Sequence, residues 1–449
     1  MIDSGIGANS AVATGLGNSV KLEADNTEYF SRTPSSDGNR QNFTFSTWIK
    51  RTELGQNSRL LHVHQDGQNF FTLGFDTSDR LVLYNINSSV DYGGHYSQRF
   101  RDTSAWYHIV FRSETTSNAN QWRIYVNGVE ITAKDTDYGT PPRWYQSNVN
   151  RALDHRIGYN TDGVNGSSQY MAETHLVDGT PLLPTSFGEF DEDSGIWKPK
   201  AYEGSYSTNG FYLDYTDSSD LGNDANGSNN FTATNIAAAD QATDIPINNF
   251  AIMNPLNPSG TYTEGATKVT SPTGTYGGDG TWTTSTMPIS TGGKWYCEVK
   301  LISTSNVYWQ IGLCKQALAN SWNYTIMYRS DGLVLNPSGS GGNTSGNTTF
   351  AANDIMGMAY DSSARTLKFY KNGTLVLTKT AGVLPTTDDY FWGVGAMSSG
   401  TFITEWNFGG YTASSISSAK SDDNGYGTFE YAPPTGYYAL CTKNLAEYG

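Results

Sequence analysis

The constraint that weighs most on this chain is the rhythm of its turns. Short runs rich in Val, Ile, Tyr, Phe, Trp and Thr recur along all 449 residues. Gly, Asn, Asp, Ser or Pro interrupts them about every ten residues, and helical periodicity is almost absent. That rhythm predicts an all-β fold of antiparallel sandwiches. In the first half it predicts strands at 43–50, 70–75, 80–84, 106–112, 122–126 and 210–215. In the second half it predicts strands at 294–301, 308–313, 355–360, 366–370 and 401–408. Two segments read as hairpins, WRIYVNGVEIT (122–132) and TLKFYKNGTLVLT (366–378). Each sets Asn-Gly (Asn127-Gly128, Asn372-Gly373) between β runs, the pair that best tolerates the two positive φ angles of a type I′ turn. One such device in each half predicts two sandwiches in tandem.

Boundaries follow from composition. The run 217–241 (DSSDLGNDANGSNNFTATNIAAADQ) has little to bury and reads as the core of a linker. The expected layout is an N-terminal segment 1–17, a first domain 18–216, a linker 217–249, a second domain 250–410 and a C-terminal segment 411–449. The last segment regains aromatics and is expected to pack back on a domain or to begin a partner contact. The opening MIDSGIGANSAVATGLGNSV has neither a basic region nor a long apolar run, so it is not read as a signal peptide.

Charge narrows the function. With 28 Lys+Arg against 43 Asp+Glu the chain carries a formal −15. That balance disfavours nucleic-acid backbones and anionic membrane surfaces. Aromatic residues make up 13% of the chain and charged residues only 16%, so the surface must be built largely from Asn, Ser, Thr, Gly and Tyr. Cys297, Cys314 and Cys441 cannot all pair, which excludes a disulfide framework; Cys297 and Cys314 read as reduced core thiols.

Several stretches carry a family resemblance. FTFSTWIK, WYHIVF, WRIYVNGVEI, IGYN (157–160) and YMAETHLVDG (170–179) resemble the concanavalin A-like, laminin G-like jelly roll. GKWYCEVKL, YWQIGLCK, NDIMGMAYDSSARTLKFYKNG and EWNFG resemble a SPRY (B30.2-like) sandwich. The stretch 186–217 and the closing YAPPTGYYALCTKNL resemble segments of structural proteins from marine tailed phages and giant algal viruses. The resemblance implies a non-enzymatic virion protein, made in the host cytoplasm, of a tail fibre, appendage or head decoration. It implies binding to host-surface carbohydrate, contacts with other virion proteins and homo-oligomerisation. The alternatives are a purely architectural particle protein and a glucanase-type polysaccharide depolymerase.

Individual residues bear on these readings. Glu189, Asp191 and Asp193 in GEFDEDSG would share one strand face, as paired glycosidase carboxylates do, but Glu192 and the Ser-Gly that follows read as an acidic turn. His62 and His64 alternate and could share a face, yet no third ligand sits at a metal-site spacing, so no metal site is assigned. His108 reads as a half-buried strand residue. No cofactor is assigned; calcium on an Asp/Asn/Gly loop such as 160–166 is the one candidate. Trp48, Trp106, Trp122, Trp295 and Trp309 read as core anchors. The candidate carbohydrate or partner contacts are aromatics expected in loops: Tyr92, Tyr96, Trp144, Tyr145, Trp322, Tyr324 and Tyr328.

Overall fold

The structure is a computed structural model. It describes residues 16–88, 90–117, 121–161, Gly163, 165–257, 260–271, 283–289, 292–305, 308–315, 326–336, 343–380, 389–396 and 400–449. Trp322 and Tyr324 lie outside the described residues, as does part of the loop 160–166.

The first sandwich opens with β1 (Ser19–Leu22), β2 (Tyr29–Arg32), β3 (Asn42–Arg51) and β4 (Ser58–Asp66). It continues through β5 (Asn69–Phe75), β6 (Arg80–Asn87), β7 (Val90–Arg99) and β8 (Tyr107–Glu114). Next come β9 (Trp122–Val126), β10 (Val129–Ile131), β11 (Lys134–Gly139), β12 (Asp154–Ile157) and β13 (Gln169–Asp178). Short strands complete it: β14 (Gly188–Phe190), β15 (Trp197–Pro199), β16 (Phe211–Leu213), β17 (Thr232–Thr234) and β18 (Gln241–Ala242). One sheet has the order β10-β9-β8-β3-β13-β1-β18, with β16 also on β13; the other runs β11-β7-β6-β5-β4-β12-β2-β17. Alternate residues point inward, so Phe43, Phe45, Ile109 and Phe111 of the first sheet meet Leu61, Phe71, Leu73 and Leu83 of the second in one buried core.

The second sandwich contains β19 (Thr261–Thr263), β20 (Lys268–Thr270), β21 (Thr283–Thr284), β22 (Lys294–Thr304) and β23 (Trp309–Lys315). It adds β24 (Ile326–Arg329), β25 (Val334–Leu335), β26 (Ile355–Asp361), β27 (Thr366–Lys371) and β28 (Thr374–Thr380). It ends with β29 (Tyr390–Ala396), β30 (Phe402–Asn407), β31 (Tyr438–Ala439) and the helix α1 (Thr442–Tyr448). Its sheets are β19-β20-β30-β22-β26-β27-β28 and β21-β29-β23-β24-β25. Cys297 and Cys314 are free and buried in β22 and β23, and Cys441 is free and buried as well. The C-terminal segment packs back: β31 adds in parallel to β22. Both Asn-Gly turns take the expected form, with φ of 48° and 80° at Asn127-Gly128 and 49° and 79° at Asn372-Gly373.

Three expectations change. The stretch read as a linker, 217–249, is structural: β17 pairs with β2, β18 pairs with β1, and Phe231 and Asp224 are buried. Its polar residues fold because Asp224 accepts from the backbone N–H of Tyr212 and Asn229. Trp48 and Trp106 are buried, but on the outer face of the first sheet, where they join Tyr170, Ile252 and Ala266 in a cluster between the two sandwiches. His108 is fully buried rather than half-buried, held between Ser46 Oγ at 2.8 Å and Trp197 Nε1 at 3.0 Å.

Charges stitch the same junction. Lys50 of β3, fully buried, sits 2.7 Å from Asp244 Oδ2 and donates to Asn249 Oδ1 and to the Phe250 carbonyl. Trp106 Nε1 donates to the other oxygen of Asp244 at 3.0 Å. Lys21 of β1 contacts Glu28, Asp240 and Glu264 within 3.0 Å, the last from the second sandwich.

Candidate functional site

The two outer faces of the first sandwich differ in what covers them. Over the first sheet, the β14–β15 hairpin places Trp197 on His108, while Phe187, Tyr206 and Tyr212 surround His175. Trp48, Trp106 and Tyr170 of that face lie under the second sandwich. Over the second sheet no described element packs in this way. Its outward side chains Tyr29, His64, Phe70, Tyr84, His95 and Arg156 are half-buried, and Tyr138 is 39% exposed. Strand alternation explains the set: Leu81 and Leu83 of β6 point into the core, so Tyr84 points out.

The centre of this face is a connected group on β6, β7 and the turn that joins β5 to β6. Arg80 Nε and Nη2 donate to Asp76 Oδ2 at 2.9 and 2.7 Å, and His95 Nδ1 lies 2.7 Å from the same oxygen. His95 Nε2 in turn meets the Tyr84 hydroxyl. Tyr138 of β11 lies beside Tyr84, its ring tilted by 40° and the centroids 5.6 Å apart. Partial burial alone would raise the Asp76 carboxyl, but the Arg80 and His95 hydrogen bonds hold it at about 2. An ionised Asp76 accepts from Nδ1–H, and Nε2 then accepts from the Tyr84 O–H; this tautomer is inferred from the network. The same oxygen is hydrogen-bonded to the Tyr138 hydroxyl, which leaves one lone pair for an outside donor. Burial lifts the Tyr84 phenol well above its ordinary pKa, so it stays protonated. Gly93, directly opposite Tyr84 with φ 115°, has no room for a side chain: a Cβ there would lie 2.0 Å from the Leu83 carbonyl oxygen. The sheet beside the Tyr84 ring is therefore bare backbone.

Further along the face, His62 and His64 stack at 5.7 Å, and the Arg156 guanidinium lies 4.8 Å over Tyr29. His62 Nδ1 is engaged by Thr72 Oγ1 at 2.7 Å; burial, with Arg59 and His64 nearby, pushes its pKa down to about 3. No group of three metal-ligating residues occurs among the described residues. The acidic run is a salt-bridged turn: Asp191 accepts from Ser194 N–H at 2.9 Å and from Lys198 Nζ at 3.0 Å, and Glu189 lies 3.7 Å from both Lys198 and Lys200.

The aromatics chosen from sequence scatter. Trp144 is in a loop, 54% exposed, with φ 68° and the Arg143 guanidinium 4.4 Å from its ring. Tyr145 follows it, half-buried; its hydroxyl accepts from Asn85 Nδ2 at 2.7 Å and its ring meets Tyr92 edge-on at 4.9 Å. Tyr92 is on β7 rather than in a loop, so Tyr92 and Tyr145 sit on the core-side rim of the strands that carry Tyr84 and His95 outward. Tyr96 and Tyr328 are corrections: both are buried strand residues. Tyr96 points into the first core, and Tyr328 packs on Phe350 and Phe369 in the second. Tyr84, His95 and Tyr138 lie on strands, so an expectation confined to aromatics between strands misses them. The signal was the alternation within β6 and β7, in which Tyr84 and His95 fall on the phase opposite to Leu83 and Tyr96.

Comparison with known proteins agrees with this architecture. Residues 24–173 match the concanavalin A-like lectin/glucanases superfamily, and residues 294–402 match the SPRY domain. No curated protein matches the chain. Among solved structures, the SPRY domain of human HERC1 is 17% identical, covers 31% of this chain and 87% of its own, and has a TM-score of 0.27. Domains LG4-5 of the mouse laminin alpha1 chain are 10% identical over 98% of this chain and 90% of theirs, with a TM-score of 0.29. The CBM40 of Ruminococcus gnavus IT-sialidase bound to alpha2,3 sialyllactose is 14% identical over 34% and 86%, with a TM-score of 0.26. These likenesses carry no argument about ligand.

Proposed function

Starting from a chain that holds a concanavalin A-like domain followed by a SPRY domain, we propose that it is a non-enzymatic carbohydrate-binding protein. Its ligand lies on the outer face of the second sheet of the first sandwich, around Tyr84, His95 and Tyr138. One observation carries this reading: that face presents half-exposed rings with a phenol oriented by the Asp76–His95 pair, while the opposite face is covered. The C–H faces of a pyranose stack on aromatic rings, and its hydroxyls donate to an oriented oxygen. The test is a glycan array with the full chain, repeated with Tyr84→Ala. Tyr84→Ala is expected to weaken any bound glycan about tenfold, roughly 1.4 kcal/mol. Binding unchanged by Tyr84→Ala would remove the site from this face, and no binding at all would favour an architectural role.

The setting we propose is a tailed-phage particle, as part of a fibre, appendage or head decoration, where the chain assembles with itself and with other virion proteins. This rests on the sequence resemblance of the segments 186–217 and 431–445. In an assembly, exposed Trp144 is the loop aromatic best placed to meet a neighbouring subunit. Mass spectrometry of purified virions tests the setting, and absence of the chain from them refutes it. Glycan hydrolysis that disappears in Glu189→Gln would instead establish the depolymerase alternative.

A further inference from the structure

The second sandwich carries a groove of about 570 Å3 between the end of β22, the start of β23, the β24–β25 turn and the segment 349–352. That volume lies within the roughly 300–1,000 Å3 of small-ligand sites. It is lined by the aromatic Tyr308, Trp309 and Phe350 and by the hydroxyl-bearing Ser303, Thr304 and Ser330. Trp309 is 3% exposed, and its Nε1 has no hydrogen-bond partner among the described residues. A buried donor left unpaired costs about 1–3 kcal/mol, so an acceptor brought into reach of this indole has a specific gain waiting. Trp48, Trp295 and Trp392 share the unpaired Nε1 but do not line this groove. At the rim, Tyr308 is 49% exposed and the Arg329 guanidinium lies 4.8 Å from its ring. Arg329 is itself held by Asp331, its Nε donating to Asp331 Oδ1 at 2.8 Å.

We propose that this groove is a second ligand site, for a neutral saccharide, independent of the face around Tyr84. The sugar's C–H face covers the Tyr308 ring and its hydroxyls exchange with Ser303, Thr304 and Ser330, while Trp309, whose Nε1 is itself buried, turns toward the groove on binding so that a hydroxyl oxygen supplies the acceptor it lacks. The charged groups at the rim are paired with each other, which favours an uncharged ligand over an acidic one. A peptide added as a strand is disfavoured, because the edge strand β25 is already occupied: Val334 both donates to and accepts from Thr344, at 2.8 and 3.1 Å. Two sites on one chain would raise avidity for a repetitive glycan without any new contact.

The test is calorimetric titration of the full chain with neutral gluco-, manno- and galacto-configured oligosaccharides of three to six residues. It is repeated with Trp309→Phe, which keeps a ring and deletes the donor, and with Tyr308→Ala at the exposed rim. Tyr84→Ala reports on the first site. The expected result is a binding event weakened at least tenfold by Trp309→Phe and Tyr308→Ala but untouched by Tyr84→Ala. Saccharide binding that responds only to Tyr84→Ala overturns this proposal and leaves the first site standing. Binding indifferent to Tyr308→Ala and Trp309→Phe overturns it, as does selection of a displayed peptide whose affinity depends on Tyr308 in place of any saccharide.

Discussion

Glu173 shows how much a single position in this fold can hold. It sits at the irregularity in β13 where the register with β3 slips, with φ 50°, a left-handed conformation that few side chains adopt. Its carboxyl is buried, one oxygen accepts from the Tyr212 hydroxyl at 2.8 Å, and the other has no partner among the described residues. Burial pushes its pKa to about 8, a rise that the Tyr212 hydrogen bond only partly offsets. A carboxyl raised in the folded state favours folding below its unfolded pKa of about 4.3, and that advantage is lost as pH rises through the folded value. Glu173→Gln keeps an acceptor for Tyr212 without the charge. Its melting temperature is expected to match or trail the wild type near pH 4 and to exceed it increasingly from pH 5 to pH 8. A constant difference between the two across that range would show that the Glu173 carboxyl is not raised in the folded protein.

Thiols follow the same physics. Burial raises Cys314 to about 12, so it should stay unreactive toward a thiol reagent until the protein is unfolded, which a titration with and without denaturant checks.

Hairpins illustrate what short-range sequence controls. The Asn-Gly pair at 127–128 dictates a two-residue turn with both φ angles positive, and the turn fixes the register of β9 with β10. What the dipeptide does not announce is the second demand on Gly128. A Cβ there would lie 2.7 Å from the Trp197 ring, because the β14–β15 hairpin rests on the turn. Gly128→Ala should therefore destabilise the chain by more than about 1 kcal/mol, from the positive φ and the clash together. Chemical denaturation measures it, and a change below about 0.5 kcal/mol would mean that Trp197 moves aside freely. Its counterpart Gly373 faces the Tyr431 ring in the same way, at 2.6 Å. In both sandwiches the turn was legible in sequence, while the element lying over it was not.

At the scale of the molecule, the junction decides whether the two sandwiches behave as one. Lys50 and Asp244 are both buried there, tied to Trp106 and Asn249, and flanked by the Trp48–Tyr170–Ile252 cluster. Removing one partner of a buried ion pair typically costs about 3–5 kcal/mol. Lys50→Ala should lower stability on that scale, and calorimetry of the wild type should show one cooperative transition. Two well-separated transitions in the wild type would mean that the sandwiches unfold independently in spite of the shared core.

The all-β class, the tandem, most strands and both Asn-Gly turns were readable in the chain, because they depend on neighbours two to ten residues apart. The candidate site was readable only in part. Period-two alternation places Tyr84, His95, His108 and Trp48 on outer faces alike, and says nothing about which face stays open. That was decided by segments distant in sequence: the hairpin at 188–199 and the second sandwich close over one sheet, while no described element packs over the other in this way. The polar stretch 217–249 looked unable to fold because its carboxylates find their partners, the backbone N–H groups and buried lysines, only once the chain has come together.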